Sequence, residues 1–343
     1  MNYRSRIRNV QKYLKAKKLD GLIIENVLNI FYLTGLELSL GTLFVTQSSC
    51  RLVVDNRYYE TCKKHSPVPV NLSTQNWFPT FISQKRCDNI HVVGFDSENT
   101  SYDQYLAHKK IMNNLKKETN GKRKIQLKAV KNPIRSLRTV KDKDEIKALK
   151  KAAKLGSEGY DYVCSLLKSG ISELDVAQQL EIFWKQKGSK GVAFESIIAF
   201  GANSSMPHYR PSRDKLKKGQ PVLIDIGVNL NHYHSDMTRV PFFGKPSKKM
   251  EEIYHVVLEA QEEAISLCAP GVGMSAIDAA ARDLIASRGY GKYFTHSLGH
   301  GIGLEVHENP FFRKTEEIYL QEGMVITIEP GVYLPGVGGV RIE

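Results

Sequence analysis

The segment VLIDIGVNLNHYHSDMTRV, residues 222–240, has the pattern of a buried hairpin with one acidic side chain in each arm. Two later segments, FTHSLGHGIGLEVHENP (294–310) and VITIEPGVYLPGVGGVRIE (325–343), are also strand-like and interrupted by glycines. The three segments carry four carboxylates and one imidazole that we select as candidate ligands: Asp225, Asp236, His300, Glu329 and Glu343. Carboxylate-rich sites suit hard divalent cations. Without cations, so many acids in one cleft would repel one another and take up protons, so the pattern predicts a site for two divalent metal ions.

Asp225 and Asp236 are separated by ten residues. A hairpin with an even-length loop centred near Leu230–Asn231 would place them directly opposite each other. Opposed residues in an antiparallel pair have Cβ atoms about 5 Å apart and point to one face, which is a distance suited to chelation. A surface hairpin without a ligand is the alternative. Asp225 lies within the apolar run VLIDIGV, however, and an unpaired carboxylate in a buried strand is costly, so the pattern favours a metal site.

Glycines alternate along HSLGHGIGL at positions 299, 301 and 303. If this segment is extended, His296 and His300 share one face and the glycines lie on the other. Glycine at alternate positions permits close backbone approach and disfavours a helix. A single buried histidine is commonly structural, whereas two histidines on one face beside such a run favour a functional site.

Arg341 and Glu343 would share one face of the last strand. We expect Arg341 to be a partner of the acids or a substrate anchor, although a simple charge pair fits the spacing almost as well. His307 lies on the continuation of the glycine-rich strand or in the next loop. His208, in GANSSMPHYRP, precedes the first acidic strand, and from the residues alone a plain loop histidine is the more economical interpretation.

The first 130 residues alternate helix-like and strand-like pieces, which predicts a small α/β domain. Strands are expected at 22–24, 42–45, 52–54 and 92–95, with helices around 7–14 and 101–115. The connector KNPIRSLRTVK (131–141) precedes Asp142, whose offset to Glu145 is that of a capping box. We therefore predict domains at 1–130 and 142–343, joined by a linker at 131–141.

The second domain has an internal repeat. SLLKSGISELDVA begins at Ser165 and SLCAPGVGMSAIDAA at Ser266, 101 positions later. Each copy lies between two helix-like stretches, expected at 144–167 and 172–187 and again at 247–268 and 275–288. The acids repeat at a similar offset, since Glu329 follows Asp225 by 104 positions. A duplication would bring two acidic strand pairs together across a pseudo-two-fold axis, and chance similarity of two helix–turn–helix units is the alternative.

The composition, with 343 residues, 41% hydrophobic and 25% charged, is that of a globular protein large enough for two cores. No apolar run approaches the ~20 residues of a membrane span, and the basic N-terminus lacks a signal-peptide core. The five scattered cysteines indicate reduced, mostly buried thiols in a cytosolic protein. The net charge of +13 raises the possibility of nucleic-acid binding, but dispersed lysines and arginines favour a solvated basic surface.

With these residues in place, the chain resembles the pita-bread metallopeptidases that include aminopeptidase P and prolidase. The resemblance covers nearly the whole chain, because residues 20–45 and VVDNRYYETC (53–62) are similar to the creatinase-type N-terminal domain. It implies an α/β (α+β) architecture, with a pita-bread catalytic domain of pseudo-two-fold symmetry behind that N-terminal domain. The family usually continues past the position of Glu343 with another acid and a closing strand, so we expect a truncated C-terminus.

The resemblance also implies roles for individual residues. Asp225 would bind one metal ion, Asp236 and Glu343 would bridge both, and His300 with Glu329 would complete the second. Mn²⁺ is the first expectation, with Co²⁺, Zn²⁺ or Fe²⁺ as alternatives. The remaining implied roles belong to side chains on the substrate side, with Glu329 as general base as well: His208, His296, His307 and Arg341.

The implied activity is that of an Xaa-Pro aminopeptidase acting on short peptides with proline in second position. Prolidase, which cleaves Xaa-Pro dipeptides, is the alternative, and a non-catalytic pita-bread module that binds peptides or proteins is a further one. The resemblance implies a homodimer, the cysteines indicate a cytoplasmic location, and we expect neither nucleic acid nor membrane as a partner.

Overall fold

Two units, Met1–Leu137 and Arg138–Glu343, make up the chain. The computed structural model describes residues 1–73, 77–82, 89–312 and 317–343. The division between the units falls inside the short helix Arg135–Arg138, within the segment that the sequence analysis assigns to a linker. No helix in these ranges is both long and apolar enough to cross a bilayer.

The N-terminal unit is built on one mixed sheet of six strands. These strands are β1 Gly21–Ile24, β2 Thr42–Thr46, β3 Cys50–Val54, β4 Val70–Leu72, β5 Val92–Asp96 and β6 Gln126–Val130. Their order in the sheet is β4-β3-β2-β1-β5-β6, and β1 pairs antiparallel with β2 and parallel with β5. Its helices are α1 Tyr3–Ala16, α2 Val27–Thr34, α3 Asn56–His65, α4 Trp77–Ile82, α5 Tyr102–Glu118 and α6 Arg135–Arg138. The strands and helices expected here from the sequence are confirmed.

The cysteines differ in part from expectation. Cys50 and Cys62 are buried free thiols, but Cys164 is only half-buried and Cys268 is exposed, because each lies in the last turn of a helix or just after one. Cys87 lies outside the described residues.

The second unit contains two helix pairs where the sequence predicts them. These are α7 Lys143–Leu166 with α8 Glu173–Gln186, and α9 Lys248–Ser266 with α10 Met274–Ser287. The predicted capping box of Asp142 and Glu145 starts α7, and Ser172 with Asp175 forms a second one on α8. Such caps satisfy backbone N–H groups that the first helical turn leaves without partners.

Matched hydrogen bonds show that the two halves repeat in structure. Gly170 N donates to Leu216 O at 3.0 Å, and Gly271 N donates to Leu320 O at 2.8 Å. Both glycines have a left-handed backbone, with φ of 85° and 88°. The equivalence therefore extends beyond the helices to the turns that join them.

The same offset relates the acid-bearing strands. Ile197 lies opposite Asp225 in one half. In the other half, Leu298 O accepts a hydrogen bond from Glu329 N at 2.8 Å. Because both pairings keep the spacing of the sequence repeat, the predicted duplication is supported by strand register as well as by helix order.

The strands of this unit form small antiparallel ladders. They are β7 Gly191–Val192, β8 Ile197–Phe200, β9 Gln220–Ile226, β10 Val228–Leu230, β11 Tyr233–His234, β12 Met237–Arg239, β13 Phe242–Phe243, β14 His300–Gly301, β15 Glu308–Phe311, β16 Gly331–Leu334 and β17 Gly338–Arg341. The two apolar cores of the unit lie under α7–α8 and under α9–α10. Only His300 and Gly301 of the expected strand at 296–302 have strand geometry.

The predicted hairpin is present, but the predicted register was wrong, because the turn is centred one residue later in the chain than expected. Thr238, not Asp236, lies opposite Asp225. The turn is formed by Asn231 and His232, with φ of 53° and 71°, which is the pattern of the type I′ turn that suits the twist of a two-residue hairpin. Asp236 is thereby a diagonal neighbour of Asp225 and stays on the same face.

Candidate metal centre

Three acids from three different strand segments meet in the second unit. Asp225 belongs to β9, Asp236 precedes β12, and Glu343 follows β17. One carboxylate oxygen of each lies within 4.8 Å of the others. Glu343 reaches this position because its backbone N–H donates to Thr238 O at 3.2 Å, which joins the last strand to the hairpin.

Two oxygens of this cluster have no hydrogen-bond partner. Asp225 Oδ1 and Glu343 Oε1 are buried and unpaired. Buried polar atoms are nearly always hydrogen-bonded, so such atoms point to an ion or water that completes them. The chemistry of the donor set agrees, because three converging carboxylates are ligands that hard divalent cations prefer.

His300 and Glu329 lie beside the three acids. His300 Nε2 is 3.6 Å from Asp236 Oδ2 and 3.3 Å from Glu329 Oε1. The other ring nitrogen, Nδ1, donates to Gly301 O at 3.1 Å, since a carbonyl only accepts. This contact fixes the orientation of the ring and aims Nε2 at the acids, which is the usual arrangement of a histidine that binds metal.

Close backbone packing holds His300 and Glu329 together. His300 O accepts from Thr327 N at 2.8 Å, and Thr327 Oγ1 donates to Glu329 Oε1 at 3.1 Å. A Cβ on Gly299 would lie 2.1 Å from Thr327 O, so only glycine permits this approach. The expectation that alternating glycines serve close backbone contact is confirmed at this position.

Burial and the repulsion between neighbouring carboxylates dominate the electrostatics of the cluster. Burial, followed by the charges of the neighbouring acids, raises the pKa of Asp236 and of Glu343 well above the ordinary values. Burial also raises the pKa of Asp225, although Arg341 opposes this effect. Burial opposes ionisation of Glu329, but its hydrogen bond to His300 and the charge of Arg341 outweigh burial and lower its pKa.

Arg341 is a partner of the acids. Its Nη2 donates to Asp225 Oδ2, its Nη1 to Tyr333 Oη at 2.6 Å, and its Nε to Thr238 Oγ1 at 3.1 Å. The residue is only 3% exposed. The sequence left two roles open for Arg341, and these contacts favour that of a partner of the acids over that of a free substrate anchor.

The three candidate histidines all line the same cavity of about 470 Å³ as the acids. His296 Nε2 accepts from Tyr333 Oη at 2.8 Å, and its Nδ1 donates to Ser297 O at 2.8 Å. His307 packs edge-on against His300, with ring centroids 4.2 Å apart. His208 is exposed in the cavity. Burial lowers the pKa of His296 and of His307, which keeps both rings neutral near neutral pH.

The sequence analysis missed Glu173, the fully buried first residue of α8. Its carboxylate accepts hydrogen bonds from Phe200 N at 2.7 Å, Tyr209 Oη at 2.8 Å and Ser212 Oγ at 2.9 Å. Asn203 Nδ2 and Ser212 N also donate to it, at 2.9 and 3.0 Å. Glu173 therefore holds both ends of the loop that carries His208.

In the other half, an ion pair on α10 holds the backbone segment that carries His296. Arg282 donates to Phe294 O at 3.2 Å and to His296 O at 3.0 Å, while it pairs with Asp278 at 2.9 Å. Asp278 in turn accepts from Leu298 N at 3.2 Å. The pair thus braces the segment that carries His296. Its i,i+4 spacing is visible in the sequence, but that spacing is equally typical of a surface ion pair.

A third brace holds the loop of His307. Glu308 is buried and pairs with Arg138 and with Lys141 Nζ, the latter at 2.9 Å. Burial opposes its ionisation, but these two cations lower the pKa of Glu308. Arg138 also pairs with Glu305 at 2.8 Å. No local pattern reveals these contacts, because about 170 residues separate the partners.

Comparisons with known proteins identify the family of this chain. A model of metallopeptidase family M24 matches residues 147–343, and a model of the creatinase/prolidase N-terminal domain matches residues 6–140. The chain belongs to the M24 metallopeptidases, with the creatinase-type N-terminal domain and pita-bread catalytic domain that the sequence implied.

Relatives with dipeptidase names cover almost the full chain. It is 36% identical to an Xaa-Pro dipeptidase of Pyrococcus furiosus over 99% of this chain and 94% of the relative. Its fold matches the structure of an Xaa-Pro dipeptidase from Bacillus anthracis with a TM-score of 0.91 and 31% identity, covering 99% of this chain and 93% of the other. It also matches an X-Pro aminopeptidase from Thermotoga maritima with a TM-score of 0.83 and 30% identity, covering 95% and 91%.

Proposed function

We propose that this chain is an Xaa-Pro dipeptidase that works with two divalent metal ions. The unpaired buried oxygens of Asp225 and Glu343 support the metal requirement. The names of the relatives favour a dipeptidase over an aminopeptidase. The sequence alone favoured the aminopeptidase, with the dipeptidase as the alternative. The aminopeptidase remains the second candidate because of the similarity to the Thermotoga maritima enzyme.

The proposed ligand set is the one that the sequence implied. Asp225 would bind one ion, His300 and Glu329 the other, and Asp236 and Glu343 both. Bound ions would supply Lewis acidity and a water molecule of lowered pKa. Carboxylates and one imidazole do not choose sharply among divalent metals, and Mn²⁺ is our first proposal.

In the proposed mechanism, Glu329 accepts a proton from the attacking water. Its lowered pKa keeps it ionised at neutral pH and therefore able to act as a base. His208 and His307, which are exposed in the cavity, donate hydrogen bonds to the developing oxyanion and help to transfer the proton that Glu329 has accepted to the departing prolyl nitrogen. His296 and Arg341 act differently, because their contacts with Tyr333 fix them as a support for Asp225 and the cavity wall.

Xaa-Pro bonds require a site of this kind for a physical reason. The prolyl nitrogen carries no N–H, and its ring restricts φ, so the extended hydrogen-bonded pose that most peptidases impose is not available. Substrate must instead be held by its carbonyl oxygen and by its charged ends.

The test is turnover of Ala-Pro and Ala-Pro-Ala by metal-free protein and by protein supplied with Mn²⁺. We expect Mn²⁺-dependent cleavage of Ala-Pro and little cleavage of the tripeptide. Cleavage of both at similar rates would assign the chain to the aminopeptidases. Failure to bind Mn²⁺ or Co²⁺, without turnover of either peptide, would support a non-catalytic peptide-binding module.

We also propose that the protein acts as a homodimer in the cytoplasm, as the resemblance implies. Sedimentation velocity of the metal-loaded protein tests the first point, and a monomer at micromolar concentration would refute it. Fractionation of the source cells tests the second.

A further inference from the structure

The described residues that line the catalytic cavity include two arginines, Arg341 and Arg210. Arg341 is buried, and its guanidinium is engaged by Asp225, Tyr333 and Thr238. Moving it to a substrate would leave buried polar groups without partners, which is costly. Arg341 is therefore poorly suited to bind a charged group of the substrate in every catalytic cycle.

Arg210 has the opposite environment. Its side chain is 80% exposed, and its Nη1 lies 2.7 Å from Glu195 Oε2, whose side chain is 59% exposed. Exposed ion pairs contribute only about 0–1 kcal/mol, so this guanidinium can exchange its partner at little cost. Both residues line the cavity that contains the acids and the histidines.

The backbone beneath Arg210 is held in place although its side chain is exposed. The preceding residue, Tyr209, donates to Glu173, and so do the N–H and hydroxyl groups of Ser212. His208, two residues away, faces the same cavity. The Arg210 guanidinium can therefore move while its backbone stays in place, which suits repeated binding and release of a ligand.

A dipeptide differs from every longer peptide in one chemical respect near the scissile bond. In Xaa-Pro the prolyl residue ends in a free carboxylate, about one residue or 3.8 Å along the chain, whereas a longer peptide has a neutral amide there. A guanidinium binds a carboxylate through two parallel charge-assisted hydrogen bonds, and it binds an amide oxygen much more weakly.

We propose that Arg210 determines the specificity of the enzyme for dipeptides by exchanging Glu195 for the C-terminal carboxylate of the substrate. This inference rests on the proposed dipeptidase function. Glu195 acts as a placeholder that neutralises Arg210 in the free enzyme and competes with the substrate carboxylate.

The experiment compares Ala-Pro with Ala-Pro amide, which lacks only the terminal charge, in the Mn²⁺-loaded full-length protein. The variants are Arg210→Gln, Arg210→Lys and Glu195→Gln, with Arg213→Gln as the control, since Arg213 is exposed and is not among the residues that line the cavity. Melting temperatures check that all variants fold.

For Arg210→Gln we expect KM for Ala-Pro to rise about 5- to 10-fold and KM for the amide to stay unchanged, because one charge-assisted contact of a largely exposed guanidinium is lost. In Arg210→Lys, KM for Ala-Pro should lie between that of the wild-type enzyme and that of Arg210→Gln, since lysine keeps the charge but not the planar fork. Glu195→Gln should lower KM for Ala-Pro alone, and Arg213→Gln should change neither substrate.

The outcomes separate this inference from the proposed function. Wild-type enzyme that cleaves the dipeptide and the amide equally well would refute the dipeptidase assignment. Wild-type enzyme that prefers the dipeptide, with the same preference retained in Arg210→Gln, would refute the role of Arg210 alone. Inhibition by L-proline gives an independent readout, because the Arg210→Gln variant should lose it.

Discussion

The two halves of the second unit share a scaffold but brace their histidine loops with different chemistry. In the first half, one buried carboxylate, Glu173, accepts five hydrogen bonds from the loop of His208. In the second half, the half-buried pair of Asp278 and Arg282 holds the backbone beside His296. The two halves therefore use different side chains to hold the segments that carry His208 and His296.

The acids, by contrast, remain paired between the halves. Asp225 and Asp236 come from the first half, and Glu329 and Glu343 from the second. Both acids of the second half also accept a hydrogen bond from a threonine hydroxyl. Thr238, from the first half, donates to Glu343, and Thr327, from the second half, donates to Glu329, both at 3.1 Å. Because the acids come from both repeats, we expect metal binding to require both copies.

The largest effect should follow removal of one proposed bridging acid from either half. We expect Asp236→Asn and Glu343→Gln to abolish turnover equally and to reduce bound Mn²⁺, because each removes a charge shared by both ions. The measurements are kcat and metal content by elemental analysis, with the exposed Asp161→Asn as control. Substantial activity in one variant only would show that the halves are not equivalent.

The second largest effect should come from Glu173→Gln. An amide cannot accept five hydrogen bonds, so buried donors lose their partner, and we expect unfolding free energy to fall by about 2–4 kcal/mol. The kcat should fall as well, because His208 is displaced. Urea unfolding and steady-state kinetics check this, with the exposed Glu181→Gln on the same helix as control. An unchanged kcat would make Glu173 a purely structural residue.

The brace in the second half should be more tolerant. Arg282→Lys keeps a cation but loses the fork that reaches two carbonyls, and we expect a loss of about 1–2 kcal/mol, since the pair is partly exposed. If urea unfolding shows a larger loss than for Glu173→Gln, the comparison between the two braces is reversed.

The smallest effect is a pH dependence of metal stabilisation. The raised pKa values of Asp225, Asp236 and Glu343 mean that the metal-free folded chain binds more protons than the unfolded chain. Stability is therefore lost as pH rises from about 4 through these raised values. The lowered pKa of Glu329 acts in the opposite sense, but it is one group against three.

Because cations remove that penalty, saturating Mn²⁺ should raise Tm more at pH 8 than at pH 5. We expect a difference of about 2–4 °C, which corresponds to about 1 kcal/mol for a unit of this size. Differential scanning calorimetry measures it. An equal or smaller gain at pH 8 would mean that the acids are not held together against their repulsion.

The sequence was sufficient for the helices and strands and for the acids that meet in the cavity, but not for the register of the hairpin or for the braces. Capping boxes and helical periodicity locate α7 and α8, and the acids in apolar strands indicate the metal site. The hairpin register depends on Asn231 and His232 adopting a left-handed backbone, which histidine adopts only sometimes, so the sequence did not determine it. Glu173 resembles any acid in a first helical turn, because its partners follow 27 to 39 residues later and only folding brings them near.

We propose that the acids converge because divalent ions bind between the two halves. Calorimetric titration of metal-free protein with Mn²⁺ tests it most directly. We expect two ions per chain, bound with release of protons, because burial raises the pKa of Asp236 and of Glu343. Titration without heat or proton release, with an unchanged melting temperature, would contradict the claim.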